Sequence, residues 1–244
     1  MKMGSMEFLS EGFLRAIELI LSGDPYVMSV TAVSLKISGT AVILSTIASI
    51  PLALLISTLN FSGKQSLLTL INTAMGLPPV VVGLVVFLIL VPAGPLGLLQ
   101  LIFTPTAMII AQFILVTPII TGVSIASINA VDKAVRDTAF TLGGTKKDVA
   151  ITIVKEARFG IIIAVLAGFG RAIAEVGAIL IAGGNIAFWD ATTDSYTSYT
   201  RTLTTAITLE TSKGDISTSI ALGIIVLSIV FSVNLFVNRV QKRE

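Results

Sequence analysis

The sequence predicts an all-α integral membrane protein, with five transmembrane helices and an N-terminal amphipathic helix. Three observations carry that prediction. Of 244 residues, 54% are hydrophobic and only 12% are charged, and the mean hydropathy is +0.97; a soluble domain carries about 25% charged residues. Five apolar runs each approach the roughly 20 residues needed to cross a hydrocarbon core. The charges that remain are concentrated, ten of them between Val131 and Arg158. The runs are continuous, not alternating strands of about ten residues, which argues against a β-barrel. The chain reads as a single transmembrane domain, residues 1–244.

The elements follow in order. Met6–Ser22 is amphipathic: Glu7, Glu11, Arg15 and Glu18 form a polar stripe, and Leu9, Phe13, Ala16, Ile17 and Ile20 an apolar face. Such a helix lies along the interface or packs on the outer rim; a sixth crossing is the alternative. Its acidic residues and lack of a small-residue cleavage site make it a poor signal peptide. The spans are Ile37–Leu59, Leu67–Val91, Thr106–Ala130, Phe159–Ala182 and Ile216–Asn238. All eight prolines lie between Pro25 and Pro118, so broken or kinked helices belong to the first half. Pro78-Pro79 falls mid-span and removes two backbone donors, which forces a kink or an unwound turn. Such a bend either packs against neighbouring helices or lines a cavity.

Val131–Arg158 interrupts the spanning pattern. Asp132 can cap a helix through Leu142, Gly143-Gly144 ends it, and Thr145 with Asp148 can start a second through a capping box. Ala139 and Gly143 are four apart and are expected on one face, where another backbone could approach closely. The segment is either a solvated connector or a docking element for a partner. In the fourth span Arg171 and Glu175 are also four apart and can pair along a helix, since charges at that depth are costly and face the bundle interior or a water path. Gly168, Gly170 and Gly177 suit close helix packing. Asn185–Asp215 is rich in Ser and Thr; a connector of about thirty residues is long enough to carry a folded role.

Orientation follows from Lys and Arg. With Val131–Arg158 inside, ten basic residues gather there, in Asn60–Ser66 and in the C-terminal tail: Lys64, Lys133, Arg136, Lys146, Lys147, Lys155, Arg158, Arg239, Lys242 and Arg243. Lys2, Arg15, Arg201 and Lys213 remain opposite, a clear positive-inside bias. Lys36 sits near the outer end of the first span and can snorkel. Residues 185–215 are then external. Cys and His are absent, which removes disulfides, thiolate chemistry and most metal sites; no catalytic or metal cluster stands out. A net charge of +2 without a basic stripe gives no case for nucleic acid. Gly63-Lys64 is followed by Gln65, with Thr58 at the earlier glycine position, so no phosphate-cradling loop exists and ATP-driven work would need a separate nucleotide-binding subunit.

The spacing Asp137-Thr138-Ala139, three residues, Gly143, nine residues, Ile153 resembles the coupling loop of permease subunits in bacterial and archaeal ABC importers. That loop reads Glu-Ala-Ala, three residues, Gly, nine residues, Ile-x-Leu-Pro. Here the opening triplet matches in part, and Lys155-Glu156 replaces Leu-Pro. Gly76–Gly83, Gly168–Ala178 and Tyr199–Thr205 resemble the oxyanion branch of those importers, and the run through Leu209–Asp215 is most similar to tungstate permeases. The resemblance implies a molybdate-type permease fold in a plasma membrane. It implies a homodimer, two subunits that bind ATP and Mg, and an external solute-binding protein that delivers the anion. Asp137, Thr138, Ala139, Gly143, Gly144 and Ile153 become the expected ATPase-coupling residues. Pro78, Pro79, Gly83, Arg171, Glu175 and Gly177 are pathway or gate candidates. Asn185, Arg201, Thr202 and Thr204 are candidates in the external loop. Molybdate or sulfate is the alternative cargo. A secondary anion transporter is more distant, because Glu175 is the one carboxylate placed inside a span and no internal repeat stands out.

Overall fold

The computed structural model describes residues 5–241. Lys2, Lys242 and Arg243 of the charge count lie outside the described residues, as do the side chains of Glu7 and Leu9. Eleven α-helices and one short hairpin are found among the described residues: α1 (Ser5–Leu21), α2 (Pro25–Thr58), α3 (Lys64–Met75), α4 (Pro79–Leu90), α5 (Pro105–Asn129), α6 (Lys133–Thr141), α7 (Lys146–Glu156), α8 (Arg158–Ile173), α9 (Gly177–Gly183), β1 (Ala187–Asp190), β2 (Ser195–Ser198), α10 (Leu203–Lys213) and α11 (Ile216–Gln241). A single 3-10 turn at Gly97–Leu99 lies between α4 and α5. Three helices among the described residues, α2, α5 and α11, are long and apolar enough to span a membrane. The pairs α3–α4 and α8–α9, bent by 100° and 60°, bring the number to five where each counts as one broken span.

Where the sequence reads as one domain, the chain groups into two compact units. Among the described residues, the first comprises residues 5–40, 79–112 and 173–232, and the second residues 41–78, 113–172 and 233–241. In the first, α1 lies on α11 through its small residues: a Cβ on Gly12 would sit 3.5 Å from Ile220, and Ala16 is fully buried. Phe13 and Ile17 of the predicted apolar face are exposed, so the packed side is narrower than that face. Val27, Val30, Leu203, Ala206 and Leu222 form one core, and Ile37, Met108 and Ile179 another. The expected external loop is largely folded, because α10 is seated in the first of these cores.

In the second unit, Ala53, Ile56, Ile71, Ile125, Ile128, Val149, Ile153, Ala157 and Ile161 make the core. Val42, Val116, Ile120, Ala164 and Ala172 form a second cluster. Lipid tails are as apolar as these side chains, so span packing depends on close approach and on hydroxyls that cross between helices. Gly168 supplies the approach: a Cβ there would lie 2.8 Å from Ile120 and 2.9 Å from Val116. Ser49 donates to the Thr117 carbonyl at 3.1 Å, and Thr117 donates to Ser45 Oγ at 3.1 Å. Gly170 corrects the sequence reading, since nothing lies within 4 Å of the position its Cβ would take.

Candidate functional site

The polar segment folds as a helical hairpin. Asp132 caps α6 by accepting from the Ala134 amide at 2.9 Å. Gly143 adopts φ 81° and donates to the Phe140 carbonyl at 2.9 Å, while Gly144 donates to Ala139 at 3.0 Å. A Cβ on Gly144 would come within 2.6 Å of that carbonyl oxygen, so the turn needs glycine at both positions, one for its dihedral and one for space. Thr145 and Asp148 form the expected capping box around the start of α7: the Thr145 amide and hydroxyl donate to Asp148 at 2.9 and 2.6 Å, and the Asp148 amide donates back at 3.3 Å. These donors hold the exposed Asp148 carboxyl below its ordinary range.

Three coupling assignments change character in this geometry. Helix α6 ends at Thr141, so Ala139 and Gly143 do not share a helix face; Gly143 lies in the left-handed turn, exposed. Ile153 is 1% exposed and, with Val149, anchors α7 in the core. For a helix as polar as α7, burying each such side chain stabilises by about 1.5–3 kcal/mol. Ala139 is half-buried and packs against the same core. The surface left over is an open concavity of about 510 Å³ lined by Ala134, Thr138, Ala139, Leu142, Gly144 and Asp148, among others. Leu142, 82% exposed, and Phe140, 53% exposed, stand at this end of the hairpin. Neither stands among the residues expected from the sequence, although apolar residues amid so many charges are a readable signal. Asp137 and Thr138 are exposed on α6.

The proline pair produces a break. Helix α3 stops at Met75, Gly76 donates to the Thr73 carbonyl at 3.0 Å, and α4 restarts at Pro79. Pro79 thus occupies the first turn, where its missing N–H costs nothing. Pro78 is exposed and Pro79 half-buried. The fourth span breaks as well: α8 ends at Ile173 and α9 begins at Gly177. Glu175 therefore lies beyond the end of α8, the helix that carries the half-buried Arg171. The Glu175 side chain is 3% exposed and accepts the Ala178 amide at 3.2 Å, so it caps α9. Its carbonyl accepts from the Thr204 hydroxyl at 2.6 Å. The second halves of the two broken spans meet: a Cβ on Gly83 would be 2.7 Å from Ala178 Cα, and one on Gly177 2.7 Å from Val80 Cγ2. Gly83 and Gly177 are close-approach residues between α4 and α9.

Residues 185–215 form a bonded cluster. Arg201 donates to the Tyr26 hydroxyl and to the Asn185 carbonyl, both at 3.2 Å. Tyr26 donates to Glu210 at 2.8 Å, and Lys213 meets the same carboxylate at 3.0 and 3.1 Å. Thr202 donates its amide to Thr205 Oγ1 at 2.9 Å at the start of α10, and the Leu203 amide donates to Ser34 Oγ at 2.6 Å. Asn185, Arg201, Thr202 and Thr204 thus act as fasteners that tie α10, α2 and the α9 end together. Sequence reasoning missed Tyr26 and Ser34, which lie some 170 residues away in the chain from their partners; no local pattern marks such pairs.

Three helices long enough to span, two bent helix pairs and a polar helical hairpin inserted among them define a multi-pass membrane protein. Residues 45–244 match the family described as binding-protein-dependent transport system inner membrane component, and the chain belongs to it. It is 50% identical over 218 residues to a probable anion ABC transporter permease protein of Haloferax volcanii, covering 89% of this chain and 92% of that one. It is 38% identical over 237 residues to the tungstate uptake system permease protein TupB of Peptoclostridium acidaminophilum, covering 97% and 100%. Among solved structures, an amino acid ABC transporter chain superposes with a TM-score of 0.64 at 18% identity, over 92% of this chain and 97% of that one. The permease resemblance read from the coupling-loop spacing is borne out, as is the permease fold.

Proposed function

We propose that this chain is the transmembrane subunit of an ATP-driven importer that carries a tetrahedral oxyanion, with tungstate as the cargo. The observation that carries the reading is the end-to-end similarity to a tungstate permease at 38% identity. Two copies form the path, and two ATP-binding subunits, which hold the nucleotide and Mg, dock on the α6–α7 surface. An external solute-binding protein delivers the anion, in keeping with the family's description. The exposed Leu142 and Phe140 supply the apolar contact, and the turn at Gly143-Gly144 holds the two helices at a fixed angle. The buried anchor at Val149 and Ile153 then passes any push on the hairpin into the helices packed around it. Selectivity rests with the binding protein, because a transient path needs loose contacts of the kind that amides and hydroxyls give a dianion.

The test is uptake into liposomes that contain the permease, its ATP-binding subunits and loaded binding protein. Tungstate should accumulate only with hydrolysable ATP. Preferential accumulation of molybdate or sulfate would replace the cargo and keep the class. Uptake that survives inactivation of the ATP-binding subunit and follows an ion gradient would make the chain a secondary transporter.

A further inference from the structure

The β1–β2 hairpin presents aromatic residues on both faces. Trp189 stacks edge-on to Tyr196 with ring centroids 5.2 Å apart, and Phe188 lies 5.7 Å from Tyr199. All four are 40–60% exposed, an unusual amount of bare aromatic surface for twelve residues. Beside the Trp189–Tyr196 pair is a cup of about 250 Å³, which Tyr26 also lines. The carboxylates of Asp24, Asp194 and Asp215 border it. Glu210 lines it as well, so four carboxylates face two cations, Arg201 and Lys213, and the lining carries a net charge of −2. The cup is therefore electronegative. It repels the transported oxyanion and lipid phosphates alike, and it suits a cation held against aromatic faces.

The hairpin is tied to the start of α2: the amide of Ser198 donates to Ser29 Oγ at 3.2 Å, and Ser29 lies near the start of that 34-residue helix.

We propose that the hairpin and its cup are a docking knob for the external solute-binding protein, seating a lysine or arginine side chain of that protein between Trp189, Tyr196 and the bordering carboxylates. The assignment rests on the importer reading above and adds to it the residues and the partner chemistry. The full importer is reconstituted in liposomes, and its ATPase rate is followed against the concentration of tungstate-loaded binding protein. Trp189→Ala and Asp194→Asn should each raise the half-maximal concentration about tenfold, the scale of an interface anchor, with the maximal rate unchanged. Asparagine tolerates the φ of 49° at Asp194, and Tyr196→Ser provides a second aromatic deletion should Trp189→Ala express poorly. An unchanged half-maximal concentration in all three variants overturns the knob and leaves the importer standing. No stimulation of the unaltered complex overturns both. Trp189 is the chain's sole tryptophan, so its quenching in vesicles of brominated lipid would place the hairpin in the membrane and overturn the proposal. A Cys introduced at Thr192 that disulfide-bonds to its counterpart would make the hairpin an interface between copies, with the same consequence.

Discussion

Gly83 sets how closely α4 and α9 approach. The atoms its Cβ would meet are backbone, the Cα and carbonyl oxygen of Ala178 at 2.7 and 2.9 Å, and backbone does not yield as a flexible side-chain tip does. Alanine gains up to about 1 kcal/mol in helix propensity over glycine, but overpacking costs about 1–3 kcal/mol, so the clash wins. Gly83→Ala should lower the thermal midpoint of the purified permease. Gly39→Ala, with nothing within 4 Å of the added methyl, should leave it unchanged or raise it. Equal midpoints for the two variants would refute the close-approach role. Glu175 shows the same dependence on detail. Its position four after Arg171 predicts a shared helix face, yet α8 ends at Ile173, and the buried carboxylate accepts the Ala178 amide at the start of α9.

The α6–α7 hairpin was legible as an element because capping chemistry is local: Asp132, the glycine pair and the Thr145–Asp148 box all act where the sequence put them. Its faces were not legible, since Gly143 leaves the helix and α7 buries Ile153, details set by packing against α2, α3 and α5. The exposed apolar tip gives the docking proposal a sharper test than the glycine does. Leu142→Glu should weaken capture of the ATP-binding subunit by at least about tenfold, as expected for removal of an interface anchor. The thermal midpoint of the isolated permease should not move, because Leu142 is 82% exposed; undiminished capture would reject the docking role. The capping box adds a pH dependence. Asp148 is depressed by the Thr145 hydroxyl and amide, so its contribution is complete above the ordinary carboxylate range and fades as pH falls through the lowered value. The protection factor of the Thr145 amide, its exchange rate divided into the intrinsic rate at each pH, should fall over that acidic window and stay flat above it, and Asp148→Ala should remove the protection at every pH.

For the whole molecule, apolar run length located the three long apolar helices and the two bent pairs, and proline placed one of the two breaks. The break at residues 174–176 carries no proline and was hidden, because Ala174, Glu175 and Val176 are compatible with a continuous helix. The folded character of residues 185–215 was hidden too, since its fasteners reach across to Ser29, Ser34 and Tyr26. Orientation rests on the ten-to-four distribution of basic residues, and every assignment of docking surface and external knob depends on it. The chain has no cysteine, so single introduced thiols report without background. A Cys at Ser195, in the half-exposed strand β2, should react with a membrane-impermeant reagent in intact cells. A Cys at Thr145, exposed at the start of α7, should react only after permeabilisation. A Cys at Ser10, on the exposed side of α1, separates the two readings of that helix: labelling from outside fits a helix packed along the outer end of α11. Labelling that needs permeabilisation instead fits a sixth crossing that starts inside. If Thr145 labels from outside, the membrane orientation is reversed. The α6–α7 hairpin then faces away from any ATP, and the importer reading falls with it.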